Sequence, residues 1–253
     1  MSYNLTNEIA VRASKNIYID KTSVIKLFKE NYSKADILNE ALNLSRVEEN
    51  TDLNIPKLKE VTKIGKRWAL VTEYVEGKSM QELMDKNPKD IDKYLEMFVD
   101  IQLEVLSKKV PLLSRIKDKF KRKITETDLI DEDVKYELLQ RLEGMKNHTK
   151  LCHGDFNPEN IIITEKGKYY ICDWSHATQG NASADSARTF LLFSIQGKDD
   201  LANRYLELFC LKSGIEKGNV QRWIPIVAAT QMTKGKEEER EFLSKWINVA
   251  EYQ

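Results

Sequence analysis

Apolar and polar residues alternate at short range up to about residue 76, and beyond it apolar residues recur at helical spacing. Glu8–Arg12 and Ile17–Asp20 read as two strands joined by the polar turn Ala13–Asn16, and Val24–Phe28 as a third. Ser33, with Asp36 three residues on, is a fair N-cap. It opens a helix predicted over 33–46, with Ile37, Leu38, Ala41, Leu42 and Leu44 as its buried stripe and Glu40 inside that stripe. Lys57–Val61 and Arg67–Val75, around the turn Lys63–Lys66, complete a small antiparallel sheet of about five strands. After Gly77 the chain becomes mostly helical. Met80–Lys86 is broken at Asn87-Pro88, Ile91–Lys108 points Leu95, Phe98, Val99, Ile101, Leu103, Val105 and Leu106 inward, and Asp131–Glu143 follows. Short apolar runs at Leu151-Cys152, Ile161–Ile163 and Tyr169–Cys172 interrupt the helices. Four more are predicted near Ala182–Ile195, Leu201–Leu211, Val220–Met232 and Glu237–Val249. The expected class is α+β, with a sheet-rich part at 1–76 and a helical part at 77–253.

Length and composition narrow the functional classes. At 253 residues, 41% hydrophobic and 32% charged, the chain suits an ordinary globular protein of one large domain or two lobes. Forty basic residues balance forty acidic ones, so no whole-protein electrostatic footprint for nucleic acid or an anionic membrane is expected. The basic stretch Lys117–Lys123 is followed by Glu126, Asp128 and Asp131–Asp133, and reads as a solvated helix face. No apolar run approaches the ~18 residues of a membrane helix. Residues 1–20 show no signal-peptide core. Three scattered cysteines, Cys152, Cys172 and Cys210, form neither a disulfide framework nor a zinc site. A cytoplasmic protein is expected.

The chemistry concentrates in Leu151-Cys152-His153-Gly154-Asp155-Phe156-Asn157-Pro158-Glu159-Asn160 and the strands after it. Asp155 and Asn160 are five positions apart, and Asp173 closes another apolar strand eighteen residues past Asp155. Three oxygen-bearing side chains at strand ends suit phosphoryl transfer. One carboxylate orients and deprotonates an alcohol, while an amide oxygen and a second carboxylate hold magnesium on a nucleotide. The bland counterpart, a polar hairpin loop with a stray Asp, requires three residue types and two spacings to agree by accident.

The pattern H-x-D-x-x-x-x-N, with Gly154 between His and Asp and Trp174 after the second Asp, resembles the aminoglycoside phosphotransferase and choline kinase group. That resemblance runs from about Glu8 to Trp246. It implies a two-lobed protein-kinase-like fold and an ATP- and Mg2+-dependent enzyme that phosphorylates a hydroxyl of a small molecule. By the same resemblance Asp155 is the catalytic base, Asn160 and Asp173 bind the metal, and Lys26 reaches the nucleotide phosphates while paired with Glu40. Glu73, Tyr74 and Val75 fall on the adenine-holding hinge, and His153 and Asp185 support the catalytic loop. The phosphate-covering turn Ser14-Lys15-Asn16 has no glycine, so Ser14 is the substitute expected there. A catalytically inactive nucleotide-binding or regulatory module on the same fold is the alternative. A protein kinase is disfavoured, because Asp173 is followed by Trp174 instead of opening D-F-G, and no A-P-E comes after it. Residues 180–253 carry ten charges of each sign, so charge lends no support to a polycationic antibiotic as acceptor. An aromatic cage for a quaternary ammonium would fall to Trp174 or Trp223.

Overall fold

The computed structural model describes residues 3–247. Its chain divides into two compact units. One holds the described residues up to Pro88 with Pro158–His176, and the other holds Lys89–Asn157 with the chain from Ala177 onward. Asp155 therefore belongs to the second unit, and Asn160 and Asp173 to the first.

The first unit is built on a five-stranded antiparallel sheet in the order β1-β2-β3-β5-β4. The strands are β1 (Glu8–Val11), β2 (Lys15–Asp20), β3 (Ser23–Phe28), β4 (Leu58–Ile64) and β5 (Arg67–Glu73). Alternation along β3 sorts its side chains. Ile25 and Leu27 join Ala69 and Val71 on one face, while Phe28 and Leu70 pack with Ile37 and Ala41 on the other. Lys26 shares the Phe28 face and lies opposite Leu70 in register, so the period of two aims it at the helix side.

That helix, α1 (Lys34–Asn50), starts at the expected Ser33, whose hydroxyl accepts from the Asp36 amide. It runs a turn longer than the pattern indicates because Val47, fully buried, extends the stripe Ile37, Ala41, Leu44. Leu38 and Leu42, expected inside, are 44% and 46% exposed. The inward places at helical spacing go instead to Glu40 and Asn43, both buried. A second, three-stranded sheet of β6 (Lys78–Ser79), β8 (Ile161–Ile163) and β9 (Tyr169–Ile171) completes the unit. Gly77 precedes it at close quarters, since a Cβ there would lie 2.5 Å from the Ile163 carbonyl oxygen.

The second unit is helical, apart from the pair β7 (Lys150–Cys152) and β10 (Thr178–Gly180). Its core gathers Phe98 of α3 (Ile91–Ser107), Phe156 of the Asp155 loop, Phe193 of α6 (Ala182–Ile195) and Tyr205 of α7 (Asp199–Ser213). The Phe98 and Phe156 ring centroids are 4.7 Å apart. Remaining elements are α4 (Ile116–Glu126) and α5 (Glu132–Gly144), with α2 (Met80–Lys86) in the first unit. The helix expected over 220–232 is two, α8 (Lys217–Gln221) and α9 (Ile224–Met232). Pro225 explains the break: it lacks an N–H and its ring clashes with the carbonyl four residues back, so it sits in the first turn of a new helix. The last helix, α10, covers Glu237–Ser244, and the expected continuation to Val249 lies outside the described residues. No helix among the described residues is long and apolar enough to cross a membrane.

Candidate active site

In the first unit Lys26 meets two carboxylates. Its Nζ donates to Glu40 Oε1 at 2.6 Å and to Asp173 Oδ1 at 3.0 Å. β3 alternation delivers the lysine, the α1 stripe delivers the glutamate, and the end of β9 delivers the aspartate. Asp173 adopts φ +61, a left-handed conformation that Asp tolerates better than most residues. Burial opposes its charge, but the ammonium groups of Lys26 and then Lys15 outweigh it and hold the carboxyl well below the usual range. For Lys26, burial alone would favour the neutral amine. Asp173 and Glu40 reverse that, and its pKa is raised.

A third group completes the cluster. Lys15, the first residue of β2, brings its Nζ to 3.5 Å from Glu40 Oε2 and lies 5.3 Å from the Phe28 ring centre. Its pKa is lowered, chiefly by burial and then by Lys26. The sequence pattern puts Lys15 in a turn and so misses it. A signal exists all the same, because Lys15 faces Phe28 in register across β2 and β3. Ser14 uses its carbonyl to accept the Lys29 amide.

Lys26 and its two carboxylates edge a cavity of ≈ 390 Å³ inside the first unit, and Lys15 is not among its lining residues. Lys26, Glu40, Glu73, Tyr74, Val75 and Asp173 line it, and Ser14 is not among the lining residues. Ile19, Val24, Leu70 and Ile162 give it apolar walls. The amides of Glu73 and Tyr74 are already used, donating to Lys57 O and Thr22 O, both at 2.9 Å. Asn160 is tied to the same end of the β8–β9 hairpin: its carbonyl accepts the Cys172 amide at 2.8 Å, one residue before Asp173. Trp174 is 2% exposed and bonds the Ile171 carbonyl through Nε1, and Trp223 is equally buried. Neither presents the open ring face that a cation cage needs.

In the second unit the loop around Asp155 is held from both ends. His153 is fully buried and Phe156 nearly so. Gly154 has φ +77, where a Cβ would be strained, and so turns the chain between His153 and Asp155. The Asp185 carboxylate accepts the Gly154 amide at 2.7 Å and the Gln102 side-chain amide at 3.2 Å. Burial raises its pKa against these bonds. Gln102 also accepts from Tyr205 Oη at 2.5 Å, and Thr189 Oγ1 donates to the Phe156 carbonyl at 2.9 Å. Gln102 escapes a reading by hydrophobicity although it sits in the α3 stripe, between Phe98-Val99 and Val105-Leu106.

Asp155 itself touches Arg188 and Asn157. Arg188 Nη2 lies 3.3 Å from Asp155 Oδ1, and Asn157 Nδ2 lies 3.0 Å from the Asp155 carbonyl. Arg188 is buried in α6, one turn after Asp185, and its other nitrogen donates to Gln231 Oε1 at 2.5 Å. Arg188 is a further residue that the motifs do not mark. Its cue is an Asp-x-x-Arg pair on one face of a helix that carries no other charge.

The family model described as "Phosphotransferase enzyme family" matches residues 8–220. No curated protein matches the sequence. Among solved structures, a thermostable mutant of aminoglycoside phosphotransferase APH(4)-Ia, in ternary complex with ADP and hygromycin B, aligns with TM-score 0.70 and 11% identity. That alignment covers 95% of this chain and 89% of the other. LicA in complex with AMP aligns with TM-score 0.64 and 15% identity over 98% of this chain and 91% of its own. A GDP complex of aminoglycoside 2'-phosphotransferase-IIIa gives 0.61 and 15% over 100% and 90%. At such identities the likeness establishes the fold, which is protein-kinase-like.

Proposed function

The chain belongs to the phosphotransferase enzyme family, and from that premise we propose that it moves the γ-phosphoryl group of ATP to a hydroxyl of a small molecule. The observation that carries this reading is the Lys26–Glu40–Asp173 cluster at the edge of the apolar-walled cavity. Such a cleft suits a purine, and an ammonium held by two carboxylates suits the phosphates beyond it. With the Glu73 and Tyr74 amides engaged, Val75 is the hinge residue proposed to meet the base.

The donor set also fits magnesium. Asn160 and Asp173 offer hard oxygens, and Asp173 stays ionised beside its two lysines. Among the described residues no three His, Cys, Asp or Glu side chains cluster to hold a metal on their own. A pair completed by nucleotide phosphates is the usual arrangement for this ion. When bound, magnesium supplies charge neutralisation on the transferring phosphate.

The chain's own residues do the rest. Asp155, fixed by Arg188 and Asn157, orients the acceptor hydroxyl and takes its proton as the oxygen bonds to the γ-phosphorus. The bond from that phosphorus to the β–γ bridging oxygen breaks, and ADP leaves. Lys26 binds phosphate, and Glu40 keeps Lys26 in place. His153 and Asp185 brace the loop, and Lys15 places a second ammonium on Glu40.

Magnesium-dependent ATP turnover across alcohols, sugars, amino-sugars and amino-alcohols tests the proposal, with Asp155→Asn in parallel. Turnover that collapses in the variant is the expected result. Failure of ATP with magnesium to bind at all overturns the proposal in favour of a module that does no phosphoryl transfer.

A further inference from the structure

The start of β2 is tied down on both sides of Lys15. The Arg12 amide donates to the Lys15 carbonyl at 2.8 Å, and the Lys29 amide to the Ser14 carbonyl at 2.9 Å. Arg67 donates to Asn16 Oδ1 at 3.0 Å and to the Leu27 and Phe28 carbonyls at 2.8 and 2.7 Å, which fastens β2 to the end of β3. Lys15 faces Phe28 in register, and Lys26 lies two positions before Phe28, so the three side chains share one face of the sheet. The Phe28 ring sits beneath the Lys15 ammonium at 5.3 Å and stacks on Tyr32 at 5.1 Å. The Lys15 side chain is only 13% exposed. On this face two ammonium groups reach one carboxylate. Lys26 Nζ lies 2.6 Å from Glu40 Oε1, and Lys15 Nζ 3.5 Å from Glu40 Oε2.

Lys26 is shared in its turn, with Asp173 Oδ1 at 3.0 Å. Two carboxylates and two ammonium groups therefore close a neutral cluster. Without Lys15 the two carboxylates share one ammonium, a net negative charge at the place proposed for the nucleotide phosphates. The reach of Lys15 extends past Glu40: after Lys26 it is the strongest influence holding the Asp173 carboxyl low. Groups shielded to this degree are little screened by salt. Lys15 does not line the cavity, so it acts through Glu40 and through space and touches no nucleotide. To bind phosphate, Lys26 gives up Asp173 and keeps Glu40 as its anchor. A Glu40 already paired at its second oxygen stays in place during that exchange.

We propose that Lys15 is a positioning residue for the phosphate end of the nucleotide: paired with Glu40, it keeps that carboxylate facing Lys26 and cancels a negative charge that would repel the triphosphate. The inference rests on the phosphotransferase reading and deepens it, adding Lys15 to the Lys26–Glu40 pair. The walls proposed to meet the base, Ile19, Val24, Leu70 and Ile162, are apolar and offer no charge for Lys15 to act on. Lys15 therefore matters for ATP and not for adenosine.

The test measures calorimetric binding of adenosine, ADP and ATP with magnesium to wild type, Lys15→Met, Lys15→Gln and Lys15→Arg. Lys15→Met should weaken ATP by about 10-fold, weaken ADP less, and leave adenosine unchanged. Lys15→Gln keeps a hydrogen-bonding group near Glu40 without the charge, so it should follow Lys15→Met, whereas Lys15→Arg should recover ATP binding. It also stands in for the Met variant should that one fail to fold. ATP affinity that survives in Lys15→Gln overturns the inference. Equal weakening of adenosine and ATP does the same, because it marks a merely structural lysine. In both cases wild type still binds ATP, and the phosphotransferase reading stands. Wild type that binds neither ATP nor ADP refutes that reading and the role of Lys15 with it.

Discussion

Replacing Lys26 with Met should expose how the first unit shares its charges. In the intact cluster Glu40 has two cations, Lys26 at 2.6 Å and Lys15 at 3.5 Å, and Asp173 has Lys26 at 3.0 Å. Orphaning a fully buried charge costs about 3–5 kcal/mol. Here Lys15 still neutralises Glu40 after Lys26→Met, and the Asp173 side chain is 30% exposed. The expected loss is therefore about 2 kcal/mol, below the full orphaning cost. Lys15→Met leaves the shorter pairs in place and should cost about 0.5–1 kcal/mol. Removing both leaves two carboxylates facing each other without either lysine, so the double variant should lose about 1–2 kcal/mol more than the sum.

The pH dependence follows with a definite sign. Asp173 has a depressed pKa in the folded state, so its stabilisation is present above the unfolded value of about 3.9 and fades as pH falls through the folded value. Lys26 has a raised pKa, so its share is complete below about 10.4 and fades as pH rises through the folded value. Urea denaturation of the four proteins at pH 7 and across the acid range measures the coupling and the Asp173 limb, and an alkaline series reads the Lys26 limb. Lys26→Met should flatten the acid limb. Additivity of the two substitutions, or an acid limb unchanged in Lys26→Met, refutes the shared-charge account.

Other perturbations probe separate parts of the molecule. Asp155→Asn should lower kcat by about 10²–10⁴-fold while ATP still shifts the melting temperature, and an active variant would remove Asp155 from the chemistry. Gln102→Leu strips a donor from Asp185 and an acceptor from Tyr205, so it should cost about 1–3 kcal/mol in a chemical melt. Gly77→Ala forces a Cβ to within 2.5 Å of the Ile163 carbonyl oxygen, and about 1–3 kcal/mol of thermal stability should go with it. A melt identical to wild type would contradict the close approach.

What the sequence discloses depends on how local the cause is. Lys26 and Glu40 are legible because each sits in a periodic pattern, one in a strand and one in a helix, and the two periods fix where each side chain points. The same logic fails at the margins. Leu38 and Leu42 look like core residues by hydrophobicity, yet the face set by Ile37, Ala41, Leu44 and Val47 turns them to solvent. Lys15 reads as a turn residue because glycine-free turns and strand starts look alike until pairing with β3 fixes the register. Pro225 is visible and its effect foreseeable, but the apolar run around it masks the break.

The basic side chains of α4 and of the turn after α9 mark the deeper limit. Lys119 and Lys234 are 115 positions apart, and only the packing of α4 on α9 brings their segments together. No periodic pattern links them, and the even balance of forty charges of each sign does not show where they gather. A net charge describes the field far from the molecule, where screening leaves little of any one site. Binding answers to the few charges within a Debye length of the ligand, about 10 Å at ordinary ionic strength. The same chain is therefore neutral as a whole and basic around Arg188, whose charge reaches Lys119, Lys123 and Lys234.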